Sequence, residues 1–402
     1  MTIPDLSVLP RLVYLGDVPV ESSYHGSALL YRLLQNYPPE KLRIVETNLM
    51  RSLPERRLRA VTYAELRLGW RRLLYSRFSP GYRAWLTWRA AGYSHRLPGL
   101  LDGFQPQAVL TVTHGFAWRT AARFAADHQL PLHLICHDDL PRCSGLPGTL
   151  EGWLDREFGR TYRQAVSRLC VSPFMRDAYR EHYGVPGEVL YPLRASDCPD
   201  HVAPPERLRE TQPTLSGAYA GSINSEGYAR AVRQLAISLA ALGGRLLLFG
   251  PFRPEEIKSR GLDLPNVLAC GLVPFRELIE RCRAEADFLC VPMSFDADDR
   301  PNMELSFPSK LTDYTAAGLP LLICGPAYCS AARWARENPG VAEITESEDV
   351  GELGQALNRL ADSARRLELG AKALVVGKKY FSHEAVLRVF YSALQGTPQE
   401  KG

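Results

Sequence analysis

Short apolar runs separated by helical stretches, repeated along almost the whole chain, constrain the fold more than any other feature of this sequence. In the first half residues 11–15, 43–46, 108–112, 132–136, 168–171 and 188–191 read as strands. A second series at 217–220, 245–249, 267–269, 288–291 and 321–323 alternates with helical stretches at 228–242, 275–285 and 311–317. Runs that are apolar throughout belong to parallel strands covered on both faces. Residues 192–216 are rich in proline and charge and read as a linker. The fold expected is α/β, two doubly wound units in tandem, and 402 residues suit two domains better than one core. The expected divisions are 1–200, 201–380 and a terminal piece, 381–402. The helix of that last piece, near residues 383–394, follows a Gly377-Lys-Lys turn and is free to pack on either unit, including back on the first.

Composition narrows the function classes. With 46% apolar and 23% charged residues the chain is an ordinary globular one, not disordered, collagen-like or coiled coil. Its nine cysteines are scattered without a CxxC pair, which fits reduced thiols better than a disulfide framework or a zinc site. No apolar window is long enough to span a bilayer, and the start is broken by Pro4, Asp5, Pro10 and Arg11, so the chain reads as unsecreted and cytoplasmic. The net charge of +4 is unevenly spread. From Arg51 to Arg96 there are eleven arginines against Glu55 and Glu65, a local +9, interleaved with Trp70, Tyr75, Phe78, Tyr82, Trp85, Trp88 and Tyr93. Two readings stand: a surface for anionic membrane at its inner face, or a solvated helical pair whose aromatics pack inward. Nucleic acid is set aside, because no recognised motif for it accompanies the charge.

In doubly wound sheets the ligand sits beyond the carboxyl ends of the strands, so the residues after each run carry the chemistry. The first junction is Tyr14-Leu-Gly-Asp17 followed by His25-Gly26-Ser27, where Gly26 lets backbone amides approach a ligand. His114 and the stretch His137-Asp138-Asp139 follow two runs expected to be neighbours, and they could converge as donors to a sugar or a leaving group. Without more ligands at metal spacing, no metal is expected there. Tyr219-Ala-Gly221-Ser222-Ile-Asn224 opens the second series as a phosphate-approach loop, but it lacks GxGxxG and so does not support a nicotinamide site. The densest signal spans 287–326. After the strand comes an acidic loop with Asp296, Asp298 and Asp299, then Phe307-Pro308-Ser309-Lys310 opens a helix. Pro308 and Ser309 leave N–H groups free, and Lys310 adds a full charge suited to a diphosphate. Asp313, nearly one turn on, suits the hydroxyls of a ribose. The plain alternative is a surface ion pair between Lys310 and Asp313.

The stretch FPSKLTDYTAAGLPLLICGP resembles the nucleotide-sugar half of the family-4 glycosyltransferases, retaining enzymes of the GT-B class, especially those that build bacterial polysaccharides. Asn266-Val with Cys270-Gly271-Leu-Val-Pro-Phe-Arg-Glu-Leu, Ala286-Asp287, Tyr219-Ala-Gly221-Ser222 and Phe249-Gly250 fall in the family's order. In the first half His25-Gly26-Ser27, Asp138, Cys170-Val-Ser172-Pro and Tyr183-Gly184-Val resemble its acceptor-side domain.

The resemblance implies two Rossmann-like domains facing a cleft, a nucleoside-diphosphate sugar as donor, and a glycan or lipid-linked acceptor. It implies transfer to a hydroxyl with retention and no metal or other cofactor. It assigns Lys310 and His114 to catalysis. Gly26, Gly221, Ser222, Gly250, Arg253, Ser309, Lys310 and Asp313 bind the donor, while His137, Asp138 and Glu304 contact sugar or acceptor. The chain departs from the family's paired glutamates: Asp313 fills the second position, but the first falls on Leu305, beside Glu304. An inactive scaffold of the same fold that binds glycan or membrane, and a nucleotide-sugar epimerase, remain the alternatives.

Overall fold

The computed structural model describes residues 5–22, 26–146, 148–210, 214–223 and 225–396; His25 and Asn224 lie outside them. Contacts divide the chain into two compact units, residues 1–192 with 384–402, and residues 193–383.

The first unit is built on seven parallel strands: β1 (Leu12–Gly16), β2 (Leu42–Thr47), β3 (Thr62–Leu66), β4 (Ala108–Val112), β5 (Leu132–Cys136), β6 (Ser167–Cys170) and β7 (Glu188–Val189). Their order is β3-β2-β1-β4-β5-β6-β7. Every residue of β1, β4 and β5 is buried, as two covered faces require. The second unit has six: β8 (Ser216–Ala220), β9 (Arg245–Phe249), β10 (Val267–Gly271), β11 (Phe288–Pro292), β12 (Leu321–Cys324) and β13 (Ala342–Thr345), in the order β10-β9-β8-β11-β12-β13. The order reverses between β1 and β4 in one sheet and between β8 and β11 in the other, and the expected doubly wound class is the one observed.

β3 and β13, both at sheet edges, escape the sequence reading because neither carries an unbroken apolar run, unlike the edge strand β10. β3 is TYAEL, with its first residue exposed, and β13 is AEIT, which alternates half-buried and buried residues. Neither shows the uniform apolar run of a central strand.

The 192–216 segment is no loose linker. From Leu193 onward it is part of the second unit, stapled there by arginines. Arg366, fully buried, donates to the carbonyls of Leu360, Ala361 and Glu210 at 2.8, 2.8 and 3.0 Å. Arg207 reaches Asp287 at 3.1 Å, and Arg283 donates to Ala203 O at 3.3 Å.

The Gly377-Lys-Lys stretch is not a turn. It lies inside the 19-residue helix Ser363–Phe381, and a Cβ on Gly377 would stand 2.2 Å from Thr315 Oγ1 and 2.3 Å from Arg194 Nη2. The glycine is there for close packing, and sequence alone does not separate that use from a turn. The terminal helix His383–Leu394 puts Tyr391 edge-on to Tyr37 of the first unit, ring centroids 6.2 Å apart. All nine cysteines are free thiols. Among the described residues no helix is long and apolar enough to cross a membrane.

Candidate functional site

In the first unit β4 and β5 pair directly, Val112 beside Ile135, so the residues that follow them meet. Asp138 Oδ2 lies 3.3 Å from His114 Nδ1 and 3.0 Å from His137 Nε2, and the two imidazole rings stand edge to face at 5.4 Å. Gly26 opens the helix Gly26–Leu34 against this cluster; a Cβ there would come within 2.9 Å of His137 Cε1. The hydrogen bond with Asp138 raises the His114 pKa, against the opposing effect of burial. Burial would raise the Asp138 pKa too, but the two imidazoles outweigh it and hold the carboxyl far below its usual range. The three side chains offer one ligand atom each within 4.8 Å of one another, the donor set that would hold a cation such as zinc. Spacing in the sequence hides this because His114 arrives on a separate strand.

Two neighbouring acids serve the scaffold. Asp139 is buried, accepts from Tyr179 Oη at 3.1 Å and pairs with Arg142. Asp17 accepts the N–H groups of Phe116 and of Ala117, the latter at 2.7 Å, and the Thr47 hydroxyl donates to it at 2.6 Å. It thereby caps the helix Ala117–Asp127, so an internal carboxylate already fills the place a ligand anion would take.

In the second unit the helix after the acidic loop is Ser309–Tyr314, with Pro308 in extended conformation at its N-cap. At six residues its dipole is modest, so the charge expected of this turn rests on Lys310. Tyr314, which the sequence reading did not single out, sets the position of that helix. Its hydroxyl accepts the N–H of Ala220 at 2.6 Å and donates to the Ala220 carbonyl at 3.2 Å, tying the helix to the end of β8. Lys310 is thereby laid along the loop after β8. A Cβ on Gly221, whose φ is +126°, would stand 2.9 Å from Lys310 Cε and 3.2 Å from Nζ. The ammonium sits 5.1 Å from the centre of the Tyr219 ring, and Tyr219 Oη donates to Ser222 O at 2.6 Å to close the loop.

Among the described residues no carboxylate pairs with Lys310, and burial lowers its pKa to about 8. The plain ion pair with Asp313 does not form. The Asp313 charge instead acts on Arg194, whose pKa burial lowers and nearby acids raise. Arg194 is buried and donates to Thr312 O and Thr315 Oγ1, both at 3.1 Å, holding the far end of the short helix.

Gly250 adjoins Gly221: a Cβ on it would meet Gly221 O at 2.7 Å. Ser309 is exposed at the helix start. Arg253 is exposed ahead of the helix Pro254–Ser259, and Glu304 lies 4.0 Å from Arg300 in Arg300–Leu305. No hydrogen bond or ion pair joins either to Lys310 among the described residues. The acidic loop is largely structural, with Asp296 paired to Arg230 at 2.6 Å and Asp299 accepting from Ser225 Oγ at 2.9 Å.

Two doubly wound parallel-sheet units in tandem are the domain make-up of the GT-B fold. The sequence model of the family described as Glycosyltransferase Family 4 matches residues 47–192. That stretch lies in the first unit, whereas the motifs that carried the resemblance are densest in the second. The Anabaena protein HepE, solved in complex with UDP and glucose, is 12% identical with a TM-score of 0.64, covering 95% of this chain and 98% of its own. Sucrose-phosphate synthase from Thermosynechococcus elongatus is 14% identical, TM-score 0.65, over 94% of this chain and 97% of that one. The trehalose 6-phosphate synthase of Burkholderia multivorans is 14% identical, TM-score 0.62, over 96% of both chains. These likenesses bear out the GT-B fold along nearly the whole chain. No curated protein sequence matches it.

Proposed function

We propose that this protein is a glycosyltransferase that moves a sugar from a nucleoside-diphosphate sugar to a hydroxyl acceptor, with retention at the anomeric carbon. The observation that carries the reading is Lys310: a charged group without a carboxylate partner among the described residues, at the point where the second sheet's order reverses, laid close against the backbone of Gly221. A half-buried cation is stabilised by a partner of opposite charge, and a ligand anion would supply one. The family match and the UDP and glucose bound by HepE agree with this reading.

In this reading the acceptor oxygen bonds to the anomeric carbon as the bond from that carbon to the phosphate oxygen breaks. The departing phosphate takes the hydroxyl proton. Lys310 meets the charge that grows on the diphosphate, which is where a fixed cation lowers the barrier, and no cofactor besides the donor is called for. Ser309, exposed at the helix start, is assigned an amide contact to the same oxygens, and Asp313 is assigned to the ribose. In the first unit, His114, its charge supported by Asp138, and His137 are assigned to sugar or acceptor hydroxyls.

The test is transfer from a panel of nucleotide sugars by wild type and Lys310→Ala. Loss of a charge-assisted contact in the transition state should lower kcat/KM by about a hundredfold or more while leaving the melting point intact. Near-normal turnover in the variant would remove the assignment.

A further inference from the structure

The arginine-rich segment resolves its two sequence readings. Five of its aromatics face solvent: Trp70 is 74% exposed, Tyr75 78%, Phe78 60%, Trp85 42% and Trp88 66%. An inward-packing helical pair would have buried them. Of the eleven arginines, Arg51 and Arg67 share Glu65 and Arg57 approaches Glu46; the other eight meet no carboxylate among the described residues. Several lie over the exposed rings instead, Arg77 at 4.8 Å from Phe78 and Arg89 at 5.5 Å from Trp85. Water-exposed tryptophans interleaved with unpaired cations cost solubility in a chain that stays in water, and they match an interface whose outer layer is anionic and whose next layer is apolar.

A pocket of about 420 Å³ opens in the same face, lined by Arg51, Arg67, Trp70, Tyr82, Trp85 and Tyr93 among others. It lies just past the carboxyl ends of β2 and β3, on the ligand-carrying edge of the first sheet. Its walls are held in place. Asn48 Nδ2 donates to Gly69 O at 2.6 Å and its Oδ1 accepts from Leu68 N–H at 2.9 Å; Trp70 N–H donates to Tyr82 Oη at 2.6 Å, and Tyr82 stacks on Trp85 with centroids 5.6 Å apart. The two guanidinium groups share Glu65 and so leave a net positive charge for one lipid phosphate, while the aromatic walls suit the first carbons of the lipid.

We propose that this face, from Arg51 to Arg96, docks the protein on an anionic bilayer, with the pocket receiving one lipid phosphate headgroup. Arginines supply the attraction and the exposed tryptophans the anchoring below the headgroups. The proposal is independent of the transfer reaction and is tested without it.

Flotation of the full chain should be strong with vesicles containing phosphatidylglycerol, weak with phosphatidylcholine alone, and weakened by salt. Brominated phosphatidylglycerol should quench tryptophan emission. The triple variant Arg71→Glu, Arg72→Glu, Arg77→Glu, all exposed, should bind about a hundredfold more weakly or worse, since each basic group near such a surface contributes roughly fivefold. A second variant, Trp70→Ser with Trp88→Ser, keeps the charge and should lose the quenching and the binding that survives salt. Equal flotation on both vesicle types, no quenching in wild type, or unchanged binding of the triple variant would overturn the proposal. So would tight binding to an oligonucleotide with none to vesicles.

Discussion

Lys310 is placed at a cost to the fold. Its pKa, lowered from 10.5 to about 8 by burial, means the unfolded chain binds more protons than the folded one between those values. Stability therefore rises with pH across that window, and at neutral pH the charged lysine is destabilising. Because the side chain is only partly buried, the penalty is about 1 kcal/mol rather than the full shift. Lys310→Met should thus melt a few degrees higher than wild type near pH 7, with the gain fading as pH approaches 10.5. Anion binding has the opposite sign. It needs the protonated form, so affinity for a nucleoside diphosphate should decline once pH passes about 8, and calorimetry in buffers of different ionisation heat should register proton uptake on binding. Affinity that is flat from pH 7 to pH 10 would contradict the assignment of Lys310.

Gly221 offers a second test at the same scale. An alanine there meets Lys310 Cε at 2.9 Å and takes a φ of +126° that side chains resist. The lysine is flexible and can give way, so Gly221→Ala should fold, lose about 1–2 kcal/mol of stability and bind diphosphate at least tenfold more weakly. Intact affinity would show that the loop does not shape the site.

At the scale of elements, the short helix Ser309–Tyr314 is held less by its own turns than by what grips its ends: Tyr314 on the backbone of Ala220, and Arg194 on Thr312 and Thr315. Arg194 and Thr315 in turn are roofed by the helix Ser363–Phe381 at Gly377. Gly377→Ala would push a methyl group into two fixed polar partners and should cost about 1–3 kcal/mol, read as a lower melting point; a neutral result would mean the helix shifts freely there.

The central strands and the helices 275–285 and 383–394 were legible because apolar runs and their terminating residues are local signals. The edge strands β3 and β13 were not, since TYAEL and AEIT interrupt their apolar residues with polar ones. Gly377 and the 193–215 segment were misread for a related reason. A glycine or a polar, proline-rich stretch looks the same whether it faces water or a buried arginine such as Arg366. The meeting of His114 with His137 and Asp138 was legible from the two neighbouring strand ends, whereas Tyr314 and Arg194 depend on contacts between elements distant in sequence, which no motif spacing encodes.

At the scale of the whole molecule, chemistry is divided between the units. The first carries the imidazole cluster and the arginine-rich face with its pocket; the second carries the ammonium and the glycine loops. Arg51 to Arg96 holds a charge of +9 while the rest of the chain sums to −5, so the basic character belongs to one face and not to the protein at large. The sequence match to the family lies in the first unit, over residues 47–192, although the motif most directly tied to the donor lies in the second. The functional account accordingly stands or falls with the diphosphate site proposed in the second unit. Titration of UDP into wild type and Lys310→Ala by calorimetry tests it most directly. The account predicts measurable binding to wild type and a loss of about a hundredfold or more in the variant, with the melting point of the variant at or above that of wild type. Equal affinity of the two proteins for UDP would contradict it.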